Sequence, residues 1–212
     1  MESVFLFLAT LTEWGLTLYE WIIIIAILIS WVNPDPRNPI VQFLNHMTVP
    51  LWNRLRGWLP AALRLFSAYI SLLLVWFLKI FVPGVLRMLG DYSGGRLIFS
   101  QLPGITVGYF LLATGVVVQS LLFFLILLLL IWFFLTLINP SVNNPIVRVI
   151  FTLVDPFITP IQRRLPRRRV DLSPLLAAGI FLLVIFLLIT PVVRFAVGLT
   201  QGGGIAGPLR LY

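Results

Sequence analysis

From Gly104 to Ile138 the chain runs 35 residues without a charge. About 20 apolar residues already cross a hydrocarbon core of about 30 Å. As straight α-helix, 35 residues would measure about 52 Å. The start of this stretch is therefore expected to tilt, kink or fold back, with Gly115 as the candidate bend and Leu121–Ile138 as the spanning core. A soluble fold of 212 residues lacks the interior to hide such segments. The chain is 60% hydrophobic and 10% charged, against about 45–50% and about 25% in soluble domains. Bilayer lipid is the expected solvent.

A second constraint is internal. Asn33-Pro34, Asn38-Pro39-Ile40-Val41, Pro50, Leu59-Pro60 and Ser67 recur, 106 positions later, as Asn139-Pro140, Asn144-Pro145-Ile146-Val147, Pro156, Leu165-Pro166 and Ser173. That is 10 identities in 35 positions without a gap, at half the chain length. The chain reads as a duplication, with one repeat over 1–106 and the other over 107–212.

Each unit reads as a span, an interfacial segment and a second span. In the first, the spans fall at about 11–32 and 64–86, with the interfacial segment at 36–60. In the second they fall at about 116–138 and 174–197, with the interfacial segment at 143–169 and a flexible tail at 199–212. Asn38-Pro39 is a helix start: Asn accepts from first-turn amides, and Pro at the first helical position orphans no N–H. Asn144-Pro145 repeats it. Ile40, Leu44, Met47, Leu51, Leu55 and Trp58 then recur at steps of three and four, with Arg54 and Arg56 largely off that stripe. Such a segment should lie in the membrane interface, with Pro50 breaking it into two short helices. Pro83-Gly84 should end or kink the second span, and residues 90–103 read as a loop. The fold class is all-α: a polytopic membrane protein with four transmembrane helices in two parallel repeats, each helix, interfacial broken helix, helix.

Arginine placement sets the expected topology. Arg37, Arg54, Arg56 and Arg64 lie in the first connection; Arg148, Arg163, Arg164, Arg167, Arg168 and Arg169 lie in the third. By the positive-inside rule these connections face the cytoplasm and both termini face outward. Met1-Glu2 begins the chain with no basic region or small-residue cleavage site, so the N-terminal apolar stretch is expected to stay as structure.

The repeat unit resembles the YggT (YlmG) family of small membrane proteins of bacteria, cyanobacteria and plastids. The second copy carries the pattern in full: Asn144-Pro145-Ile146, Asp155-Pro156, Pro160-Ile161-Gln162-Arg163-Arg164-Leu165-Pro166 and Asp171-Leu172-Ser173-Pro174. The first departs after Pro60, with Leu65 and Val49 where the second has Asp171 and Asp155. The resemblance implies a membrane protein of the bacterial cytoplasmic membrane. It also implies a role either in osmotic tolerance and ion uptake or in the assembly of membrane complexes and nucleoid organisation.

Composition narrows the chemistry. With no cysteine and one histidine, thiol chemistry and metal clusters are not expected. No Ser/His/Asp set, phosphate-binding loop or carboxylate pair is present, so no catalytic residues, cofactor or metal are expected. The net charge of +8 points to anionic headgroups. Nucleic acid is not the expected partner, because no aromatic-interleaved basic platform accompanies the charge. Arg163, Arg164, Arg167, Arg168 and Arg169, with Arg54 and Arg56, are the candidate contacts for lipid headgroups or a membrane-protein partner, including a second copy of the chain. Asp155 is either a helix cap or a partner of Arg163 or Arg164, and Asp171 should favour the start of the last span.

Glu20 and Lys79 are expected at similar depth within the bilayer, on helices running in opposite directions. A mid-bilayer charge costs about 2.5–3.5 kcal/mol on insertion scales. Two readings remain open here: a pair marking an ion or proton route, or an interfacial Glu and a snorkelling Lys. The positions 106 later are Ile126 and Ile185, so a path shared by both repeats is not expected. The leading function is a non-enzymatic scaffold or assembly factor, with an ion-transport component as the alternative.

Overall fold

The structure, a computed structural model, describes residues 1–32, 34–138, 145–164 and 171–201. All regular elements among them are helical. Helix α1 (Glu2–Trp31) leads to α2 (Pro39–Trp58). A 3-10 segment (Ala61–Phe66) leads on to α3 (Ser67–Ser93). A short 3-10 turn (Phe99–Gln101) opens α4 (Leu102–Ile138), followed by α5 (Pro145–Gln162). Then come α6 (Ser173–Val184), a π-helical turn (Ile185–Ile189) and α7 (Thr190–Thr200). The last three are continuous, so four helices are long and apolar enough to cross a membrane: α1, α3, α4 and the α6–α7 rod.

The duplication is legible in the packing. Ile23 and Leu129 are 106 apart and both fully buried. So are Thr48 and Val154, and Ser67 and Ser173 are buried alike; Val41 with Val147 and Leu44 with Ile150 follow the same rule. In the first repeat α1 packs antiparallel to α3 around Ile23, Ile27 and Val75. The Trp31 indole donates to the Tyr69 hydroxyl at 3.0 Å where that pair meets α2's side of the molecule. In the second repeat Leu129, Val154, Ile158 and Ala177 hold α4, α5 and α6 together.

The repeats join through α3 and α4. Phe77 and Phe81 meet Phe110 edge-on, with centroids 5.5 and 6.2 Å apart. Tyr109 lies flat over Gly84, where a Cβ would come within 2.3 Å of the ring. Pro83 and Gly84 are buried inside α3, which runs on to Ser93. Of the expected end or kink, the end does not occur: the helix continues past the proline, whose missing hydrogen bond is tolerated among packed neighbouring helices. The expected loop over 90–103 shrinks accordingly, to a turn over residues 94–98 between α3 and the 3-10 segment. Gly95 takes φ +75° in it, a conformation that side chains disfavour.

Helix α4 is also unbroken, at 37 residues, or about 55 Å. The chain does not fold back at Gly115, since the helix runs through it. That glycine instead admits Val193, whose methyl would lie 2.7 Å from an added Cβ, and Gly108 admits Leu199 and Thr200 in the same way. Small residues let α4 and α7 approach closely. The last helix likewise extends to Thr200, into the expected tail. Pro191 has no N–H for the helix behind it, and the π turn at Ile185–Ile189 absorbs that defect.

The segments expected at the interface differ from expectation in two respects, their prolines and the path of α2. Pro50 lies inside an unbroken α2, and Pro156 and Pro160 lie inside an unbroken α5. An interior proline costs about 3 kcal/mol in an isolated helix. Here tertiary contact outweighs it: α2 packs on α1 and α3, and α5 on α4 and α6. The Tyr19 hydroxyl donates to the carbonyl of Met47 at 3.1 Å. Tyr19 stands 12 residues before the end of α1 at Trp31, about 18 Å along it. So α2 lies back along the α1/α3 pair.

Candidate functional site

The structure brings Glu20 and Lys79 together. Lys79 Nζ is 2.7 Å from Glu20 Oε2. The indole of Trp76 donates to the other oxygen, Oε1, at 2.8 Å. The side chains retain 16% and 31% exposure for Glu20 and Lys79. Trp76 precedes Lys79 by three positions, which places both on the face of α3 that meets α1. Both carboxylate oxygens are therefore engaged, and the charge is balanced within the protein. A carboxylate paired in this way is not a bare charge among apolar helices.

This pair is the innermost rung of a ladder that sequence reasoning missed. Glu13 pairs with Arg87, and Glu2 and Asp91 both pair with Arg96. Glu13 and Glu20 are seven apart and Lys79 and Arg87 eight apart, close to the two-turn repeat of packed helices. That spacing on two antiparallel helices was the available signal. Counterparts in the second repeat of Glu13, Glu20, Lys79 and Arg87 are Gln119, Ile126, Ile185 and Val193. Ile126 and Ile185 sit in the second repeat's core, 8% and 3% exposed. One geometry is thus filled by an ion pair in one copy and by two isoleucines in the other.

The opposite end of the molecule carries the connections. Asn38 caps α2, its Oδ1 accepting from Ile40 N at 2.9 Å, with Pro39 at the first helical position. Arg56 Nε donates to Ser67 Oγ at 3.0 Å, tying the end of α2 to the start of α3. Its counterpart Gln162 makes the equivalent tie to Asp171. Asp171 also accepts from Ser173 N at 2.9 Å, just ahead of Pro174 in α6. Burial alone would raise the Asp171 pKa; hydrogen bonds from Ser173 and Gln162 outweigh it and hold the carboxyl below its ordinary value. Asp155 neither caps a helix nor meets Arg163 or Arg164 among the described residues. It lies mid-α5 and accepts from Thr159 Oγ1 at 2.7 Å, because α5 does not stop at Pro156. Pro60 precedes the 3-10 segment.

Arg54, Arg56, Arg163 and Arg164 are exposed, and among the described residues none of them meets a carboxylate. Arg167, Arg168, Arg169, Asn144 and Pro166 lie outside the described residues, as does the side chain of Pro145. The two ends differ in how their described cations are held. Toward the chain termini, Arg87 and Arg96 are matched by carboxylates of α1 and α3, while Arg194 on α7 is exposed and meets none among the described residues. At the connections, described arginines face outward without carboxylate partners.

One family matches the chain twice, CCB3/YggT, over residues 5–86 and again over 111–192. The chain belongs to the CCB3/YggT family. The two matches are offset by 106, the period of the buried positions. YggT of Escherichia coli K12, which carries the name "Uncharacterized protein YggT", is 27% identical over 182 residues, covering 83% of this chain and 84% of that relative. The YggT proteins of E. coli O6:H1 and O157:H7 match to the same extent. No solved structure matches. Each matched CCB3/YggT segment holds most of one two-span unit with its connecting helix. Glu13, Glu20 and Lys79 fall within the first segment, and the second copy has Gln119, Ile126 and Ile185 at those places.

Proposed function

We propose that this CCB3/YggT protein is a non-enzymatic scaffold or assembly factor for a membrane complex, working through its arginine-bearing end. One observation supports the reading: the described arginines at that end, Arg54, Arg56, Arg163 and Arg164, are exposed and meet no carboxylate among the described residues, while Arg87 and Arg96 of the ladder are matched. A surface of uncompensated arginines is suited to anionic headgroups and to an acidic partner face. The positive-inside rule would put that end in the cytoplasm of a bacterial cell, with both termini across the membrane. The partner is a membrane protein or a second copy of the chain. Affinity purification in a mild detergent, with mass spectrometry, is the test. A stoichiometric partner lost on Arg163→Glu/Arg164→Glu is expected; recovery of the chain alone as a monomer would sink the proposal.

The second reading, an ion-transport component in osmotic balance, is favoured by Glu20 and Lys79 within the span. Against it stand the closure of that pair and the isoleucines at its counterpart. Reconstitution in liposomes separates the two. Ion flux abolished by Glu20→Gln or Lys79→Met would reverse the ranking.

A further inference from the structure

Between α1, α2 and α3 lies a cavity of about 310 Å³, near the lower end of the range of ligand sites, roughly 300–1,000 Å³. Its walls are Leu16 and Tyr19 from α1, Leu51 and Arg54 from α2, and Leu74 and Leu78 from α3. The Tyr19 hydroxyl is already committed to Met47. Arg54 supplies the one charge in that lining, and among the described residues it meets no carboxylate.

The second repeat carries different side chains at the corresponding positions. Leu51 and Val75, which both line the cavity, correspond to Phe157 and Phe181. Those rings meet edge to face, with centroids 5.2 Å apart. Tyr19 corresponds to Leu125 and Arg54 to Pro160. Two larger side chains therefore meet in the second repeat at the positions that line the cleft in the first, and the guanidinium has no counterpart there. The first repeat keeps smaller apolar side chains and an arginine around an open cleft, a lining suited to an amphipathic occupant.

The lining sets the occupant's chemistry. Leucine walls accept hydrocarbon, and a guanidinium matches the planar fork of a phosphate. We propose that the cavity is a specific site for one anionic phospholipid of the surrounding bilayer, its phosphate on Arg54 and an acyl chain against Leu16, Leu74 and Leu78. The site lies in the first repeat and does not depend on the scaffold reading.

Native mass spectrometry of the full-length protein tests this, with phosphatidylglycerol or phosphatidylcholine supplied at equal concentration. The wild type is expected to retain one phosphatidylglycerol through delipidation and to release phosphatidylcholine. Arg54→Gln, at an exposed position, should weaken that retention about tenfold, the effect of one charge-assisted contact. Leu51→Phe/Val75→Phe rebuilds the packing of the second repeat; it should abolish retention while the lipid-free melting temperature holds or rises. Arg194→Gln, an exposed arginine of α7 in the other repeat, should change nothing. Equal retention of the two lipids would overturn the proposal. So would undiminished retention by the Leu51→Phe/Val75→Phe variant, or a loss in Arg194→Gln equal to that in Arg54→Gln.

Discussion

Replacing Lys79 by isoleucine would place in the first repeat the residue that the second repeat has at Ile185. By itself it should destabilise, because it leaves the Glu20 carboxylate with only the Trp76 indole. Removing one partner from a fully buried pair costs about 3–5 kcal/mol; an exposed pair is worth about 0–1 kcal/mol. With 16% and 31% exposure for Glu20 and Lys79, an intermediate loss of about 2 kcal/mol is expected. For a chain of this size that is roughly 4–8 °C in melting temperature. Glu20→Ile should cost less, since the longer and more exposed lysine left behind can extend its ammonium toward water. The double variant Glu20→Ile/Lys79→Ile should return to within about 1 kcal/mol of wild type, because an apolar pair of suitable volume replaces a buried ion pair at little cost. Ile126 and Ile185 show that the helix geometry accommodates it. Detergent-titration unfolding followed by circular dichroism, on all four proteins, gives the coupling. A double variant whose loss equals the sum of the two single losses would refute the argument, since the charges would then not be compensating each other.

Three further outcomes are expected. Gly84→Ala should lower the melting temperature by an amount corresponding to about 1–3 kcal/mol, the usual range for overpacking, because its Cβ would collide with Tyr109; Tyr109→Ala should relieve part of that loss in a double-mutant cycle. Asn38→Ala should cost about 1 kcal/mol through the lost cap on Ile40 N, read by the same unfolding assay. The Asp171 carboxyl is held below its ordinary pKa, so its contribution is fully present above the unfolded-state value of about 3.9. It is lost as pH falls through the lower folded value; the melting temperature of Asp171→Asn should therefore vary less between pH 5 and pH 2 than that of wild type.

The places where reading the residues failed share a cause. Pro50, Pro83, Pro156 and Gly115 look like helix breaks because local propensity counts only the chain's own hydrogen bonds. In the structure each sits in a helix supported by a neighbour, such as α2 on the α1/α3 pair and Gly115 beneath Val193. Asp155 was expected at a helix end for the same reason, and the persistence of α5 through Pro156 places it mid-helix instead. Trp76 and Tyr19 carry no motif. Their roles depend on which face of α3 or α1 meets the adjoining helix, and that is set by packing across some tens of residues.

The four spans, their apolar cores, the internal duplication and the uneven distribution of arginine are one-dimensional properties, and the sequence by itself determines them. Hydropathy sums along a segment, and an offset of 106 needs no coordinates. Tertiary structure alone decided that Glu20 meets both Lys79 and Trp76, that the ladder continues through Arg87 and Arg96, and that a cleft opens in the first repeat beside positions whose counterparts, Phe157 and Phe181, meet edge to face. These depend on the rotation of each helix about its axis and on the volume left between three of them. The long apolar stretches leave both undetermined, since nearly every face of such a helix is equally at home in lipid.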